Sequence, residues 1–134
     1  MNKTRALLAG AFAAVWMAAP LALAAPHPEV VSVLSKNLAD LPGKEGLVLT
    51  VTYPPGGADP VHRHDAHAFV YVLEGEIVMQ VKGGPPVTLK AGQTFYEAPD
   101  DVHLVGRNAS NTESAKFVVF LLKKQGAPAL TPVK

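Results

Sequence analysis

The stretch from Val61 to Glu76 reads VHRHDAHAFVYVLEGE, and it decides the fold. Three of the five histidines of the chain, His62, His64 and His67, lie within these residues, directly before a run of large apolar side chains. The run is apolar on both faces of a strand, which favours a closed or two-layered sheet over a sheet with one face in water. The sequence therefore predicts a buried strand with histidines at its entrance.

The rest of the chain repeats this pattern of short apolar segments. Segments rich in valine, leucine and aromatic residues alternate with clusters of glycine, proline and aspartate, such as Pro54-Pro55-Gly56-Gly57 and Glu74-Gly75. This alternation is typical of an all-β domain, and we expect a small barrel or jelly roll. The predicted strands are Val30–Leu34, Leu47–Tyr53, Val61–His64, Ala68–Leu73, Ile77–Val81, Val87–Leu89, Thr94–Glu97, His103–Arg107 and Phe117–Leu122.

The first 24 residues have the three-part layout of a secretory signal peptide. Lys3 and Arg5 precede a long apolar run, and small residues around Ala22 and Ala24 offer a cleavage site after Ala24. A retained membrane anchor is the alternative. We expect cleavage, a secreted or periplasmic location, and no stable membrane span in the mature chain.

The chain then divides into a signal peptide over residues 1–24, a β-barrel domain over residues 25–126 and a loose C-terminal tail over residues 127–134. The tail contains two prolines and has no periodicity. Without the signal peptide, 10 basic and 11 acidic side chains remain, a net charge of −1. A near-neutral domain offers no basic surface to nucleic acid. The absence of cysteine excludes disulfides, thiolate nucleophiles and sulfur metal ligands.

The spacing of the histidines indicates a metal site. His62 and His64 are two residues apart, so on a strand their side chains point to the same side, roughly 6.6 Å apart along the backbone. Two imidazoles at this spacing can tilt toward one metal ion. Surface histidines would give the same pair, but a third isolated histidine, His103, follows a Pro-Asp-Asp turn downstream. Arg63, between the first two, is expected to point the other way.

These residues resemble the two sequence motifs of the cupins. Gly56, His62, His64 and Gly75 match the spacing of the first motif, a glycine, five residues, His-x-His, three or four residues, a glutamate, six residues and a glycine. The second motif is similar to Lys90-Ala91-Gly92, Pro99, His103 and Asn108. The resemblance implies a double-stranded β-helix barrel, the jelly roll of the cupins. It also implies a metal inside the barrel, held by the three histidines and the motif glutamate.

The chain departs from the cupin pattern at three positions. Ala68 stands where the first motif has its glutamate, Lys90 stands where a proline is usual, and Asn108 comes one residue late. Three alternatives follow for the site. It has three histidines and open coordination positions, as in some cupin dioxygenases of a diketone-cleaving type. A replacement ligand comes from elsewhere in the chain, or the site holds no metal.

Glu97 is the preferred replacement ligand, with a catalytic role. It ends an apolar strand six residues before His103, and a buried carboxylate needs a partner. His67 is the second candidate, although on a regular strand it points away from His62 and His64.

The favoured function is an exported, metal-dependent, dioxygenase-type oxidoreductase that acts on a small organic molecule. Iron, manganese, nickel, copper and zinc all accept histidine and carboxylate ligands, so the divalent transition metal stays unidentified. The alternatives are a non-catalytic module that binds a metal or a small ligand, and a barrel that serves only as a stable dimer. A homodimer through Val30–Leu34 and Leu47–Tyr53 is expected, because sheet edges must be covered.

Overall fold

The computed structural model describes residues 24–134, so the predicted signal peptide lies outside the described residues apart from Ala24. Ten strands form within this range: β1 (Glu29–Asn37), β2 (Lys44–Tyr53), β3 (His62–Arg63), β4 (Ala66–Glu74), β5 (Glu76–Val81), β6 (Val87–Lys90), β7 (Thr94–Glu97), β8 (His103–Asn108), β9 (Ala115–Lys124) and β10 (Thr131–Pro132). Residues 24–134 contain no helix that is long and apolar enough to span a membrane.

The strands form two antiparallel sheets of five strands each. One sheet has the order β1-β2-β9-β4-β7, and the other has the order β10-β3-β8-β5-β6. Strands that are distant in the sequence therefore lie side by side, as they do in a jelly roll. The predicted all-β, double-stranded β-helix fold is confirmed.

Side chains from the inner faces of the sheets form one apolar core. Burial alternates along β9, from Ala115 to Lys123, because successive side chains of a strand point to opposite faces. Tyr53 at the end of β2 is completely buried and packs edge-on against Phe117, with ring centroids 5.0 Å apart. A few buried polar side chains interrupt this apolar interior, and they include His62, Glu97 and His103.

The C-terminal residues are not the loose tail that the sequence predicted. Thr131 and Pro132 form β10, which pairs with β3, and the Val133 amide donates to the Val61 carbonyl at 3.0 Å. Proline disfavours a central strand because it lacks an amide hydrogen, but it is tolerated at a sheet edge. β10 lies at such an edge, so the two prolines of this segment did not prevent pairing.

One half of the expected dimer contact is also wrong. β2 pairs with β1 on one side and with β9 on the other, so Leu47–Tyr53 offers no free edge to a second copy. β1 remains available, because it is an edge strand and all nine of its residues are exposed.

Candidate metal centre

The structure brings His62, His64 and His103 together between the sheets. His62 on β3 lies opposite His103 at the start of β8, and His64 follows β3 directly. The ring of His62 has its centroid 4.8 Å from the rings of both other histidines. One ring nitrogen from each histidine lies within 4.8 Å of the other two. Since His62 and His103 are 2% exposed, this cluster is shielded from bulk water.

Backbone carbonyls fix the protonation of the three rings. The hydrogen bonds run from His62 Nδ1 to Pro60 O (2.8 Å), from His64 Nδ1 to Ala129 O (2.7 Å) and from His103 Nε2 to Val105 O (2.6 Å). A carbonyl only accepts, so these ring nitrogens carry the hydrogens in neutral rings. The other three nitrogens, His62 Nε2, His64 Nε2 and His103 Nδ1, are left with bare lone pairs. Two of them, on His62 and His64, are only 3.2 Å apart, a repulsive contact unless a cation lies between them.

Glu97 adds a carboxylate to this cluster. Its Oε2 atom lies 3.5 Å from His103 Nδ1 and 3.8 Å from His64 Nε2. Glu97 Oε2 and His103 Nδ1 are buried, and neither has a hydrogen-bond partner among the described residues. Buried acceptors without partners are costly, and a cation would offset that cost. Three imidazole nitrogens and one carboxylate oxygen therefore fit a divalent transition metal.

The position of Glu97 explains how the chain dispenses with a glutamate at position 68. Ala68 on β4 lies directly opposite Glu97 on β7, and both are buried. Directly opposite residues on antiparallel strands share a face, with Cβ atoms about 4.5–5.5 Å apart. Glu97 therefore enters, from the neighbouring strand, the space into which a longer side chain at position 68 would point.

His67 takes no part in the cluster. It lies on the other face of β4, where its ring is hydrogen-bonded to the Tyr96 hydroxyl at 2.7 Å. Arg63 also points outward, as expected, and forms an exposed ion pair with Asp65 at 3.0 Å.

Asn108 has a structural role, and a β-bulge accounts for its late position. Val81 pairs with His103 and Gln80 pairs with Val105, so Leu104 is an extra residue in β8 that shifts the following residues by one. The buried Asn108 amide donates to the carbonyls of Tyr53 (3.2 Å), Pro54 (3.0 Å) and Glu113 (2.7 Å). These hydrogen bonds hold the end of β2 against the loop before β9.

Burial shifts the pKa values of the clustered groups. Burial raises the pKa of Glu97 to about 7, and the carboxylates of Asp101 and Asp59 add to the rise. Burial lowers the pKa of His103 to about 4 and also lowers the pKa of His64, with His62 contributing to both. The lowered pKa values favour the neutral rings of His64 and His103, the form that binds a metal.

A cavity of about 70 Å³ lies beside the three histidines and Glu97. Its apolar wall includes Leu49, Val51, Val70, Met79, Phe117 and Val119. Two further polar residues line it, Tyr53 and Asp59, and the Tyr53 hydroxyl donates to Asp59 Oδ2. Burial raises the pKa of Asp59, whereas the hydrogen bond from Tyr53 opposes this rise.

Sequence reasoning missed four of the residues that surround the cavity. Tyr53 entered the sequence analysis only as the end of a predicted strand, and Asp59 was assigned no role. Ala129 and Leu130 line the cavity from the segment that was expected to be a loose tail. The one available signal was an isolated acidic residue three positions before His62.

Comparisons with known proteins agree with this architecture. A family model described as Cupin domain matches residues 49–121. A search of curated proteins gave no match. An uncharacterised protein with a double-stranded β-helix domain from Klebsiella pneumoniae superimposes with a TM-score of 0.63 at 24% identity, over 80% of this chain and 86% of that one.

Two similar structures are enzymes. Oxalate oxidase in complex with glycolate has a TM-score of 0.60 at 24% identity, over 78% of this chain and 54% of that one. The DMSP lyase DddQ from Ruegeria pomeroyi has a TM-score of 0.57 at 22% identity, over 66% of this chain and 43% of that one. The chain thus spans about half the length of either enzyme, and at these identities the likeness establishes the fold alone.

Proposed function

The chain belongs to the cupin domain family, and we propose that it is a dioxygenase-type oxidoreductase that acts on a small organic molecule. His62, His64, His103 and Glu97 would hold one divalent transition metal. The observation that carries the proposal is the convergence of three unprotonated ring nitrogens and one unpartnered carboxylate oxygen in a buried cluster. When bound, such an ion supplies redox chemistry with dioxygen or Lewis-acid polarisation of an oxygen-bearing substrate.

The surrounding residues have separate tasks in this proposal. The backbone carbonyls that accept from the three histidines hold each ring in one tautomer and one orientation. Glu97 contributes the negative charge that partly neutralises a divalent cation. The apolar cavity wall keeps bulk water from the site and favours a small, mainly apolar molecule.

A catalytic role has some support from the similar structures, since the oxalate oxidase and the DMSP lyase are enzymes by name. They share the fold with this chain, and one fold carries many activities, so they do not identify its substrate. The alternative of a non-catalytic binding module drew its support from the missing motif glutamate. The pairing of Glu97 with Ala68 weighs against this alternative, because Glu97 brings a carboxylate to the same region.

Elemental analysis of the isolated protein tests the proposal first. We expect one equivalent of iron, manganese, nickel, copper or zinc per chain, and its loss in His62→Ala. Oxygen consumption is then measured on small diketones and catechols, and we expect uptake with at least one of them by the metal-loaded protein. A metal-loaded protein that consumes no oxygen would contradict the oxidoreductase assignment, and a metal-free protein would contradict the whole proposal.

We propose further that the chain is exported and cleaved after Ala24, as the layout of residues 1–24 suggests. Mass spectrometry of the protein recovered from the periplasm or the medium should give a chain that starts at Ala25. A full-length chain retained in the membrane fraction would indicate an anchor instead.

A further inference from the structure

The cavity contains one charged group that the proposed function does not use. Asp59 lines the cavity together with the three histidines and Glu97. The Tyr53 hydroxyl donates to Asp59 Oδ2, and Tyr53 is completely buried. Because the tyrosine ring is packed in the core, its hydroxyl holds the aspartate carboxylate in one orientation at the cavity wall.

The charges around the cavity are balanced once a divalent ion is bound. The three histidines are neutral in the form that binds a metal, while Glu97 and Asp59 each contribute one negative charge when ionised. Lysine and arginine are absent from the cavity lining in the described part of the chain. A further anion would therefore enter without a counter-charge, and burying an unpaired charge is costly. A neutral molecule avoids this cost.

We propose that Asp59, held in place by Tyr53, selects small uncharged molecules that carry a hydroxyl group and rejects carboxylates. This inference rests on the proposed function, since it concerns ligands of the metal-loaded cavity. The hydroxyl of a neutral ligand donates to the Asp59 carboxylate, and hydrogen bonds to charged acceptors are the stronger ones. A carboxylate offers no hydrogen there and meets a like charge. The cavity has room for on the order of five water molecules, which limits the ligand to a few non-hydrogen atoms.

Lactamide and lactate provide a matched pair of probes. They have the same hydroxyl group and nearly the same shape, but only lactate is charged. Their dissociation constants are measured from the visible spectrum of the cobalt-substituted protein at about pH 8, where carboxylates are ionised. The variants are Asp59→Asn, Asp59→Ser and Tyr53→Phe. Asp40→Asn, an exchange of an exposed aspartate in a turn, is the control.

Opposite shifts of the two probes are the expected result. Asp59→Asn should weaken lactamide binding about tenfold and strengthen lactate binding by a similar factor. Asp59→Ser should shift both affinities in the same directions. Tyr53→Phe should weaken lactamide binding by a smaller factor. The control Asp40→Asn should change the affinity for neither probe. The ratio of the two affinities is compared between variants, so that the intrinsic affinity of the metal for each probe cancels.

Two failures can be told apart by the metal content of each variant. If both aspartate variants bind cobalt and the ratio of the two probes is unchanged, the role of Asp59 is overturned while the metal site stands. If the wild-type protein takes up no cobalt, the proposed function fails and the selectivity of its cavity fails with it.

Discussion

Glu97 is the side chain on which metal affinity should depend most among the acidic residues. Glu97→Gln keeps the shape of the side chain and removes its charge, so we expect the metal affinity to fall about a hundredfold. Since Glu97 is a proposed ligand, this loss is at least as large as the roughly 10–100-fold that removal of a residue behind the ligands costs. Competition with a chromogenic chelator measures the change. His67→Ala, on the outer face of β4, is the control and should leave the affinity unaltered.

Because Ala68 and Glu97 are directly opposite each other on β4 and β7, mutation can move the carboxylate from β7 to β4. In the double variant Ala68→Glu with Glu97→Ala, the new glutamate can use the space that the old one leaves. We expect its metal affinity to lie within about tenfold of the wild-type value, since the two positions share one face. A double variant as weak as Glu97→Gln would argue against a shared space.

Position 106 on β8 leaves no room for a side chain, because other groups pack closely against Gly106. A Cβ atom there would lie 2.9 Å from both His103 Cε1 and the Tyr53 hydroxyl oxygen. Gly106→Ala must displace one of these groups. We expect the free energy of unfolding to fall by about 1–3 kcal/mol, as overpacking typically costs, and the metal affinity to fall about tenfold. Gly84→Ala is the control, because its Cβ would meet nothing nearer than 3.6 Å. Equal metal affinities of the two variants would refute this reading of Gly106.

The short strand β10 connects the end of the chain to the candidate metal centre. The Ala129 carbonyl accepts from His64 Nδ1 at 2.7 Å, and Leu130 lines the cavity. Truncation after Ala127 removes this acceptor, so the hydrogen of the His64 ring can move to Nε2 and block the lone pair. We expect a loss of about 10–100-fold in metal affinity and a lower unfolding temperature. Chelator competition and thermal unfolding measure both, and deletion of Lys134 alone is the control. An unchanged affinity would show that the tail does not orient the ring.

An ion pair joins β2 to β9 just before this tail begins. Glu45 and Lys123 lie directly opposite each other, with side chains 12% and 3% exposed. Lys123 Nζ also donates to the Ala127 carbonyl at 2.5 Å, and the Gly126 amide donates to Glu45 Oε2 at 3.2 Å. The hydrogen bond from Lys123 is the main cause that lowers the pKa of Glu45, and the one from Gly126 adds to it.

This lowered pKa predicts how stability should change with pH. The unfolded state takes up a proton on Glu45 at higher pH than the folded state does. The pair therefore stabilises the fold above the ordinary pKa of the carboxyl, and the contribution is lost as the pH falls through the lower folded value. Urea unfolding measures this effect. Between about pH 6 and pH 3, we expect the free energy of unfolding of the wild type to fall more than that of Glu45→Gln. Glu113→Gln, an exchange in an exposed loop, should follow the wild type. Parallel curves for the wild type and Glu45→Gln would rule out this contribution.

Local patterns were sufficient to predict most of the fold from the sequence. The nine expected strands overlap β1–β9, because apolar alternation and Gly/Pro turns are properties of neighbouring residues. The motif spacing also indicated His62, His64 and His103, which the structure brings together. These features need no knowledge of which strands become partners.

The remaining features depend on contacts between distant segments, which no local pattern encodes. The pairing of Ala68 with Glu97 follows from the register of β4 and β7. The proline-containing end of the chain becomes β10 because an edge of the second sheet is available to it. Tyr53 and Asp59 are six residues apart, and only the turn between β2 and β3 brings the hydroxyl to the carboxylate.

The edge strand β1 leaves apolar surface uncovered on the whole molecule. Val30, Val31, Val33 and Leu34 are 47–59% exposed, whereas the inward side chains of β2, β4 and β9 in the same sheet belong to the core. Aromatic residues on the outside of the same sheet are also about half exposed, and they are Phe69, Tyr71 and Tyr96. The aromatic residues lie on β4 and β7, at the other end of the sheet from β1. Exposed apolar side chains along the unpaired edge of β1 are typical of an association site.

We propose that β1 pairs with β1 of a second copy to form a homodimer. Val30 also lines the cavity, so a second copy at this edge would cover the cavity wall as well as the strand. A lysine on an edge strand opposes such pairing, so we expect Val31→Lys to be monomeric in sedimentation equilibrium while the wild type is dimeric. Leu41→Lys places the same charge at an exposed apolar residue outside the strand and should remain a dimer. A monomeric wild type, or a dimeric Val31→Lys, would exclude β1 as the interface.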